Sequence, residues 1–278
     1  MKRLIRNIVR WYCHVSPIRL GKFSLVKTLD LIGFNNEEHI NGIYDNDIKI
    51  NLNLKDWIQK QIFYFGRYEV ERKETQYIKS IVKEGDVFFD IGTNVGYYTL
   101  MVAKRIGNNG KVFSFEPVTS TFDKLKANVE KNNFKNVSLN KIGISDISQE
   151  IEINISDADN SGMSSLIHIP NSSKKEVIKT ISLDEYLKEK ELEKINLIKI
   201  DVEGVEFQAI KGMTETLIKY SPIVLVEILS SKLGQIGKTN TEIYNLFYKN
   251  DYKAYEYKYN TLTEISIPKD GSLIIFKK

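Results

Sequence analysis

The sequence is poor in the residues that build disulfides and metal sites. It contains a single cysteine, Cys13, among 278 residues, which excludes a disulfide framework. The three histidines, His14, His39 and His168, stand apart from one another, and only His168 is a candidate catalytic base. One free cysteine fits a reducing compartment, and no signal peptide is recognisable, so we expect a cytoplasmic protein.

The chain also lacks a hydrophobic run long enough to span a membrane. Its first twelve residues are basic and apolar, but Arg6 and Arg10 interrupt the apolar positions. The apolar members Leu4, Ile8, Trp11 and Tyr12 fall on one face of a predicted helix. Such a helix either packs on its own domain or on a second subunit, or lies on a membrane surface. Homodimerisation and peripheral membrane contact are therefore both open.

The chain also has little excess of charge of one sign. The 40 basic and 36 acidic residues give a net charge of +4, a small excess that we take to be spread along the sequence. Nucleic-acid binding normally uses a clustered basic surface. A nucleic-acid partner is therefore disfavoured, and a small molecule or glycan is the expected acceptor.

What is present is a regular alternation of strands and helices after an irregular start. Residues 1–68 contain a predicted hairpin, Ile40–Tyr44 with Ile48–Leu54, and form an N-terminal extension that serves as a cap or a dimerisation element. Residues 69–278 form the catalytic domain. Its predicted strands are Asp86–Asp90, Val112–Phe115, Val137–Asn140, Leu197–Asp201, Ile223–Glu227, Tyr252–Tyr257 and Leu273–Phe276. Its predicted helices include Val95–Ile106, Thr121–Asn132, Leu183–Lys190, Val205–Lys211 and Glu242–Tyr248.

This order predicts an α/β fold with a mostly parallel, seven-stranded sheet, helices on both faces and an antiparallel edge. Ligands of such sheets bind beyond the carboxyl ends of the strands. Between Ile151 and Thr180 the pattern breaks into short polar pieces. This insertion is expected either to lie near the substrate or to be a mobile surface loop.

The turn after the first strand of the sheet indicates an adenosine cofactor. It reads Asp90-Ile-Gly-Thr-Asn-Val-Gly96, which lacks the third glycine of a nicotinamide fingerprint. Asp90 would repel a pyrophosphate but would favour the ammonium and sulfonium of S-adenosylmethionine (SAM). Glu116, at the end of the next strand, is placed to accept from two ribose hydroxyls, and Ser145-Asp146 could read the adenine edge.

With Phe115-Glu-Pro117 and Ile198-Lys-Ile-Asp-Val-Glu-Gly-Val-Glu206, the chain resembles the FkbM family of SAM-dependent methyltransferases from about Phe65 to Glu227. The resemblance implies the Rossmann-like class I methyltransferase fold and methylation of hydroxyl groups on polyketides, sugars or glycolipids. It implies that the methionine part of SAM is lined by Asp90, Gly92, Asn94 and Gly96. It further implies that Glu116 holds the ribose, that Ser145 and Asp146 approach the adenine, and that Glu69 faces the ammonium or the acceptor.

Methylation of an alkyl hydroxyl needs a general base or a metal that acidifies the hydroxyl. The acids at the carboxyl ends of the fourth and fifth strands are Asp201, Glu203 and Glu227, and Asp201 is the first candidate for the base. Glu206 lies on the following helix and is expected to stabilise its first turn. The same acids could bind Mg²⁺, although no histidine joins them in sequence.

The sequence therefore favours a SAM-dependent O-methyltransferase that acts on a sugar hydroxyl of a nucleotide sugar, a surface glycan or a capsule precursor. The alternatives are an RNA methyltransferase, a nonenzymatic SAM-binding module and an NAD-dependent epimerase or dehydrogenase. The last of these is weakened by the missing glycine.

Overall fold

The computed structural model describes residues 1–18, 20–155, 174–202, 204–267 and 272–278. The strands are β1 (Ile40–Tyr44), β2 (Ile48–Leu52), β3 (Val87–Ile91), β4 (Lys111–Phe115), β5 (Val137–Asn140), β6 (Gly143–Ser145), β7 (Gln149–Ile155), β8 (Lys174–Ser182), β9 (Leu197–Ile200), β10 (Ile223–Ile228), β11 (Lys253–Lys258), β12 (Thr261–Ile265) and β13 (Ser272–Lys277). The helices are α1 (Lys2–Val15), α2 (Lys22–Leu31), α3 (Trp57–Phe65), α4 (Arg72–Ile81), α5 (Tyr97–Ile106), α6 (Thr119–Lys131), α7 (Leu183–Leu187), α8 (Glu206–Lys211), α9 (Thr214–Tyr220), α10 (Ser230–Gln235) and α11 (Asn240–Tyr248).

The central sheet has the strand order β12-β11-β13-β10-β9-β3-β4-β5. Its five strands from β10 to β5 are parallel, and β11, β12 and β13 run antiparallel to their neighbours. Every residue of β3 and β9 is buried, as expected for strands that are covered by helices on both faces. The predicted α/β class with a mostly parallel sheet and an antiparallel edge is confirmed.

The sheet has eight strands where seven were predicted, because β12 was missed. It pairs with β11 through a tight turn in which Tyr259 and Asn260 both have positive φ. Three of the five residues of β12 are exposed. A strand at an exposed edge needs few apolar residues, so its sequence carries little signal.

The irregular insertion predicted over Ile151 to Thr180 contains the ends of two strands instead. Strands β7 and β8 pair antiparallel, and β8 also pairs with β6 in a second, three-stranded sheet. Ile151, Ile153 and Ile155 alternate along β7 and pack with Ile178 and Val118. This alternation is typical of a strand with one covered face. Residues 156–173, including His168, lie outside the described residues.

The N-terminal segment packs on the rest of the chain rather than standing apart from it. The predicted hairpin is present as β1 and β2, and the β2 backbone N–H groups of Lys49 and Asn51 donate to the side chains of Asn132 and Asn128 on α6. Helices α1, α2 and α3 and the hairpin share one apolar cluster with α4, α5 and one face of the sheet. In the described ranges, no helix is long and apolar enough to cross a membrane.

Candidate active site

The turn after β3 is shaped by three residues with positive φ, namely Gly92 (83°), Asn94 (51°) and Gly96 (95°). The N–H groups of Gly92 and Thr93 both donate to the carbonyl of Phe115, at 3.0 and 3.2 Å. A Cβ atom on residue 92 would lie 1.9 Å from the carbonyl oxygen of Asp201. Glycine is therefore required at position 92, both for its backbone conformation and for the close approach of the Asp201 turn.

Glu116 follows β4 directly, and its carboxylate is held by this turn. Oε2 accepts from the Asn94 N–H at 3.1 Å, and Oε1 accepts from the Val118 N–H at 3.0 Å. Burial raises the pKa of Glu116 to about 7, although the two N–H groups oppose the rise. The carboxyl group is thus fixed in orientation before any ligand binds.

A cavity of about 250 Å³ opens at the carboxyl ends of β3, β4, β9 and β10. Since β3 lies between β4 and β9, two groups of lining residues can be distinguished along the sheet. We name them the glycine end, which comprises Gly92, Asn94, Glu116 and Ser145, and the acid end, which comprises Tyr68, Glu71, Asp201 and Glu227. Apolar residues such as Ile144, Ile153 and Ile178 form much of the remaining wall.

The acid end is organised by one buried cation, Lys199. Its side chain is 4% exposed, and its Nζ donates to Asp201 Oδ2 at 2.8 Å and lies 4.7 Å from the centre of the Tyr98 ring. Strand register places Lys199 opposite Asp90 on β3. Burial opposes protonation of Lys199, but Asp201, Glu71 and Asp90 outweigh it and raise the pKa of the lysine. Lys199 is therefore charged.

The carboxyl groups near Lys199 outnumber it, so they resist full ionisation. Burial, opposed by Lys199 and aided by Asp201, raises the pKa of Glu71 to about 7, and Oε2 of Glu71 accepts from the Tyr98 hydroxyl at 2.7 Å. Burial, followed by the charges of Asp201 and Glu71, raises the pKa of Glu227 to about 8. The acid end can thus hold or release a proton near neutral pH.

Six of the predicted site residues line this one cavity, namely Gly92, Asn94, Glu116, Ser145, Asp201 and Glu227. The remaining predicted residues that the structure describes do not line it. Asp90 is buried behind it, where Oδ2 accepts from the Thr99 hydroxyl at 2.6 Å and burial raises its pKa to about 6. Gly96 directly precedes α5 and lies against Leu125.

Glu69 and Asp146 also point elsewhere. Glu69 pairs with Arg67 and, at 3.9 Å, with Arg72. Asp146 Oδ2 pairs with Lys211 Nζ at 2.9 Å. Glu203 lies outside the described residues, and Glu206, the first residue of α8, accepts from the Gly204 N–H at 2.8 Å. Among the residues that the structure describes, no group of three or more His, Cys, Asp or Glu side chains is arranged to hold a metal ion.

Sequence reasoning missed three residues of the acid end and its surroundings: Tyr68, Glu71 and Lys199. Lys199 carried a usable signal, because a lone charge inside the apolar run Leu197–Ile200 must find a buried partner. Glu71 carried none that separates it from Glu69. The two acids are two residues apart in an irregular segment, and only the path of the backbone decides which one reaches the cavity.

Comparisons with known proteins place the chain in a family. The model of the methyltransferase FkbM domain matches residues 90–259. The hexuronic acid methyltransferase AglP of Haloferax volcanii is 33% identical over 177 residues, which cover 61% of this chain and 70% of the relative.

Two solved structures are more distant. The methyltransferase FkbM from Methylobacillus flagellatus has 13% identity and a TM-score of 0.45, and the match covers 80% of this chain and 55% of that chain. The O-methyltransferase from Bacillus cereus in complex with SAH has 13% identity and a TM-score of 0.46 over all of both chains. The family match spans the turn after β3, Glu116, Asp201 and Glu227. The chain therefore belongs to the FkbM family of SAM-dependent methyltransferases.

Proposed function

We propose that this enzyme transfers a methyl group to a hydroxyl of a carbohydrate, such as a nucleotide sugar or a precursor of a surface glycan or capsule. The observation that carries the proposal is that Glu227, a carboxyl group with a pKa raised to about 8, lines the same cavity as Glu116. A hydroxyl acceptor needs a base, and this one cavity offers both a carboxyl group for the ribose, Glu116, and a base, Glu227. The name of the Haloferax relative, a hexuronic acid methyltransferase, supports a sugar as acceptor.

The charge of the cavity fits SAM. Of the described residues that line it, four are Asp or Glu and none is Lys, Arg or His. Such a wall attracts an ammonium and a sulfonium and repels a pyrophosphate. When bound, SAM supplies a methyl group on a positively charged sulfur. We assign Glu116 to the ribose and Gly92, Asn94 and Ser145 to the rest of the cofactor.

The other predicted cofactor residues do not line the cavity, and we assign them indirect roles. Asp90 lies behind the wall of the cavity and contributes negative charge there. Lys199 interacts electrostatically both with Asp90 and with the carboxyl groups of the acid end. Gly96 sets the start of α5. Glu69 and Asp146 are tied to basic side chains and contribute to the positions of their own segments.

At the acid end, Glu227 is the favoured base. From the sequence alone Asp201 is the first candidate, but the structure commits Asp201 Oδ2 to Lys199. An ion-paired carboxylate is a weak base, whereas a carboxylate with a pKa near the working pH removes a proton efficiently. The proton of the acceptor hydroxyl therefore passes to the Glu227 carboxylate while the hydroxyl oxygen attacks. Asp201 stabilises Lys199 and raises the basicity of Glu227.

Glu203, between Asp201 and α8, stays a candidate for binding the acceptor or the proton. The proposed organisation keeps residues 1–68 as an extension that caps the domain of residues 69–278. Ile58 and Tyr68, which lie before the domain boundary, line the cavity and are thus placed to contact the acceptor. The cytoplasm, where SAM and sugar nucleotides are available, is the proposed setting.

The test is to incubate the purified chain with methyl-labelled SAM and a panel of acceptors. The panel contains sugar nucleotides with neutral sugars, sugar nucleotides with uronic acids, glycan fragments and an RNA transcript. We expect label in one of the carbohydrate acceptors, and NMR of the product should show a methyl ether on a hydroxyl oxygen. A methyl ester, formed on the carboxyl group of a uronic acid, would contradict the proposal, as would label only in RNA or a methyl group on nitrogen or carbon.

A further inference from the structure

Helix α1 has a buried side and an exposed apolar side. Arg6 and Cys13 are buried on the inner side, where Arg6 donates to the Phe34 carbonyl at 3.2 Å and pairs with Glu37 at 2.6 Å. The outer side carries Leu4, Ile8, Trp11 and Val15, which are 64%, 55%, 65% and 61% exposed. We call these four residues the apolar stripe. Their spacing of four, three and four places them on one narrow line along the helix.

A polar ridge runs beside the apolar stripe. Each stripe residue directly follows one of Arg3, Asn7, Arg10 and His14 in the sequence. Successive residues of an α-helix lie 100° apart, so the two lines are neighbours on the helix surface. An apolar line bordered by cationic and polar residues is typical of helices that lie in a membrane surface.

The basic residues of the chain are concentrated in the same segment. Residues 1–34 contain seven Lys or Arg residues and one Asp, a net charge of +6, whereas the whole chain carries +4. The expectation of an evenly spread excess is therefore wrong, since the other residues together carry −2. Several of the segment's cations bind backbone carbonyls, which leave their charge in place. Examples are Lys2 with Gly33 at 3.1 Å and Arg10 with Ile43 at 3.2 Å. Arg6, by contrast, is also paired with Glu37.

The polar ridge continues into a basic groove. Arg10 and His14 of the ridge line it together with Arg67, Arg72 and Lys79. Asp45 and Glu69 pair with some of these cations but are outnumbered by them. Burial, and then repulsion by Arg10, Arg67 and Lys22, lowers the pKa of His14. His14 therefore adds little charge, and the positive charge of the groove comes from the excess of Arg10, Arg67, Arg72 and Lys79 over Asp45 and Glu69. An anionic headgroup requires such an excess.

We propose that α1 lies in the surface of a membrane that contains anionic phospholipids. The apolar stripe enters the region between headgroups and acyl chains, and the polar ridge and basic groove face the phosphates. Charge complementarity favours this partner over a second copy of the chain, because two copies that met through α1 would bring together two segments of +6. This inference does not rest on the identity of the acceptor.

The placement would bring the membrane close to the active site. Helix α1 packs against α3, and Ile58 of α3 lines the cavity. An acceptor attached to a lipid could therefore reach the cavity from the surface on which α1 rests.

The first test is co-sedimentation of the full chain with vesicles of phosphatidylcholine alone or mixed with phosphatidylglycerol. We expect binding to the mixed vesicles and a marked loss of binding in high salt. Ile8→Ser should weaken vesicle binding by about tenfold, since it removes an inserted apolar side chain. Ile218→Ser, which changes an equally exposed isoleucine on α9 (60% exposed), should leave binding unchanged.

A second pair of variants tests the charge. Arg3→Glu on the polar ridge should weaken binding to the mixed vesicles, whereas Lys126→Glu on α6 should not, although both residues are exposed. Vesicle binding that is equal in both variants would show that location of charge is unimportant and would contradict the proposal.

A third measurement reports on Trp11 itself. In a Trp57→Phe background Trp11 is the only tryptophan, and its emission should shift to shorter wavelength on addition of the mixed vesicles. Wild-type protein that stays in solution with these vesicles would overturn the proposal. A dimer that Ile8→Ser dissociates, without vesicle binding, would assign the apolar stripe to a second copy and would overturn it as well.

Discussion

The glycine end and the acid end of the cavity are built in opposite ways. Glu116 at the glycine end is fixed by two backbone N–H groups, and the turn around it depends on backbone conformations. At the acid end, Glu71, Asp201 and Glu227 are arranged around the charge of Lys199. The main chain thus determines shape at one end, and side-chain charge determines chemistry at the other. The comparison predicts that substitutions at the two ends affect different kinetic constants.

The largest effect is expected from Glu227→Gln at the acid end. Loss of a general base should lower kcat by about a thousandfold while SAM affinity stays within a few-fold. Glu206→Gln is the matched control, because Glu206 is also buried with a pKa raised to about 7 by burial, but does not line the cavity. Steady-state kinetics and calorimetry measure the two constants. Near-normal turnover in Glu227→Gln would remove it as the base.

A smaller effect of the other kind is expected from Glu116→Gln at the glycine end. Both carboxylate oxygens already accept from backbone N–H groups, so an amide would turn an NH₂ toward one of these donors and also lose the charge. The Kd for SAM should rise by roughly ten- to a hundredfold. At saturating SAM, kcat should change little. A fall in kcat without weaker binding would show that the two ends are not distinct.

The smallest effect concerns stability. In the folded chain the pKa of Glu227 is raised from 4.5 to about 8 and that of Glu71 to about 7, in both cases chiefly by burial. Between 4.5 and 8 the folded state therefore binds more protons than the unfolded state, and the free energy of unfolding falls as pH rises. Without SAM, Tm should drop by roughly 4 °C or more from the bottom to the top of this window.

Scanning calorimetry across the window checks this slope. Glu227→Gln should make the slope less steep, because one of the groups with a raised pKa is removed, whereas Glu189→Gln on the exposed surface should leave it unchanged. A Tm that rises over the same pH range would contradict the assigned direction of the pKa shifts.

Much of the fold could be predicted from the sequence because buried parallel strands leave long apolar runs. Strand β5 has the predicted bounds, β4, β9 and β10 differ from the predictions by one residue at one end, and β3 is shifted by one residue at both ends. Strand β12 could not be found in this way, since an exposed edge strand has little apolar pattern. The alternation in β7 was present but short, and the polar residues that follow it hid the strand.

The candidate site was less predictable, because a side chain's direction depends on backbone that the sequence does not specify. The order of Gly92, Glu116, Asp201 and Glu227 along the chain was enough to place them at one edge of the sheet. It was not enough to show that Asp90 accepts from Thr99 behind the wall, or that Lys199 pairs with Asp201. Those contacts depend on strand register and rotamers, which a single sequence does not give.

The contact between Gly92 and the Asp201 carbonyl joins the two ends through main-chain atoms alone. The separation between the glycine turn and the Asp201 turn is therefore set by the backbone and does not depend on the acceptor. In variants of Tyr68 or Glu71 that admit a larger sugar, that sugar should still receive the methyl group at the same depth in the cavity. New acceptors could thus be accommodated by reshaping the wall, provided that residue 92 stays without a side chain.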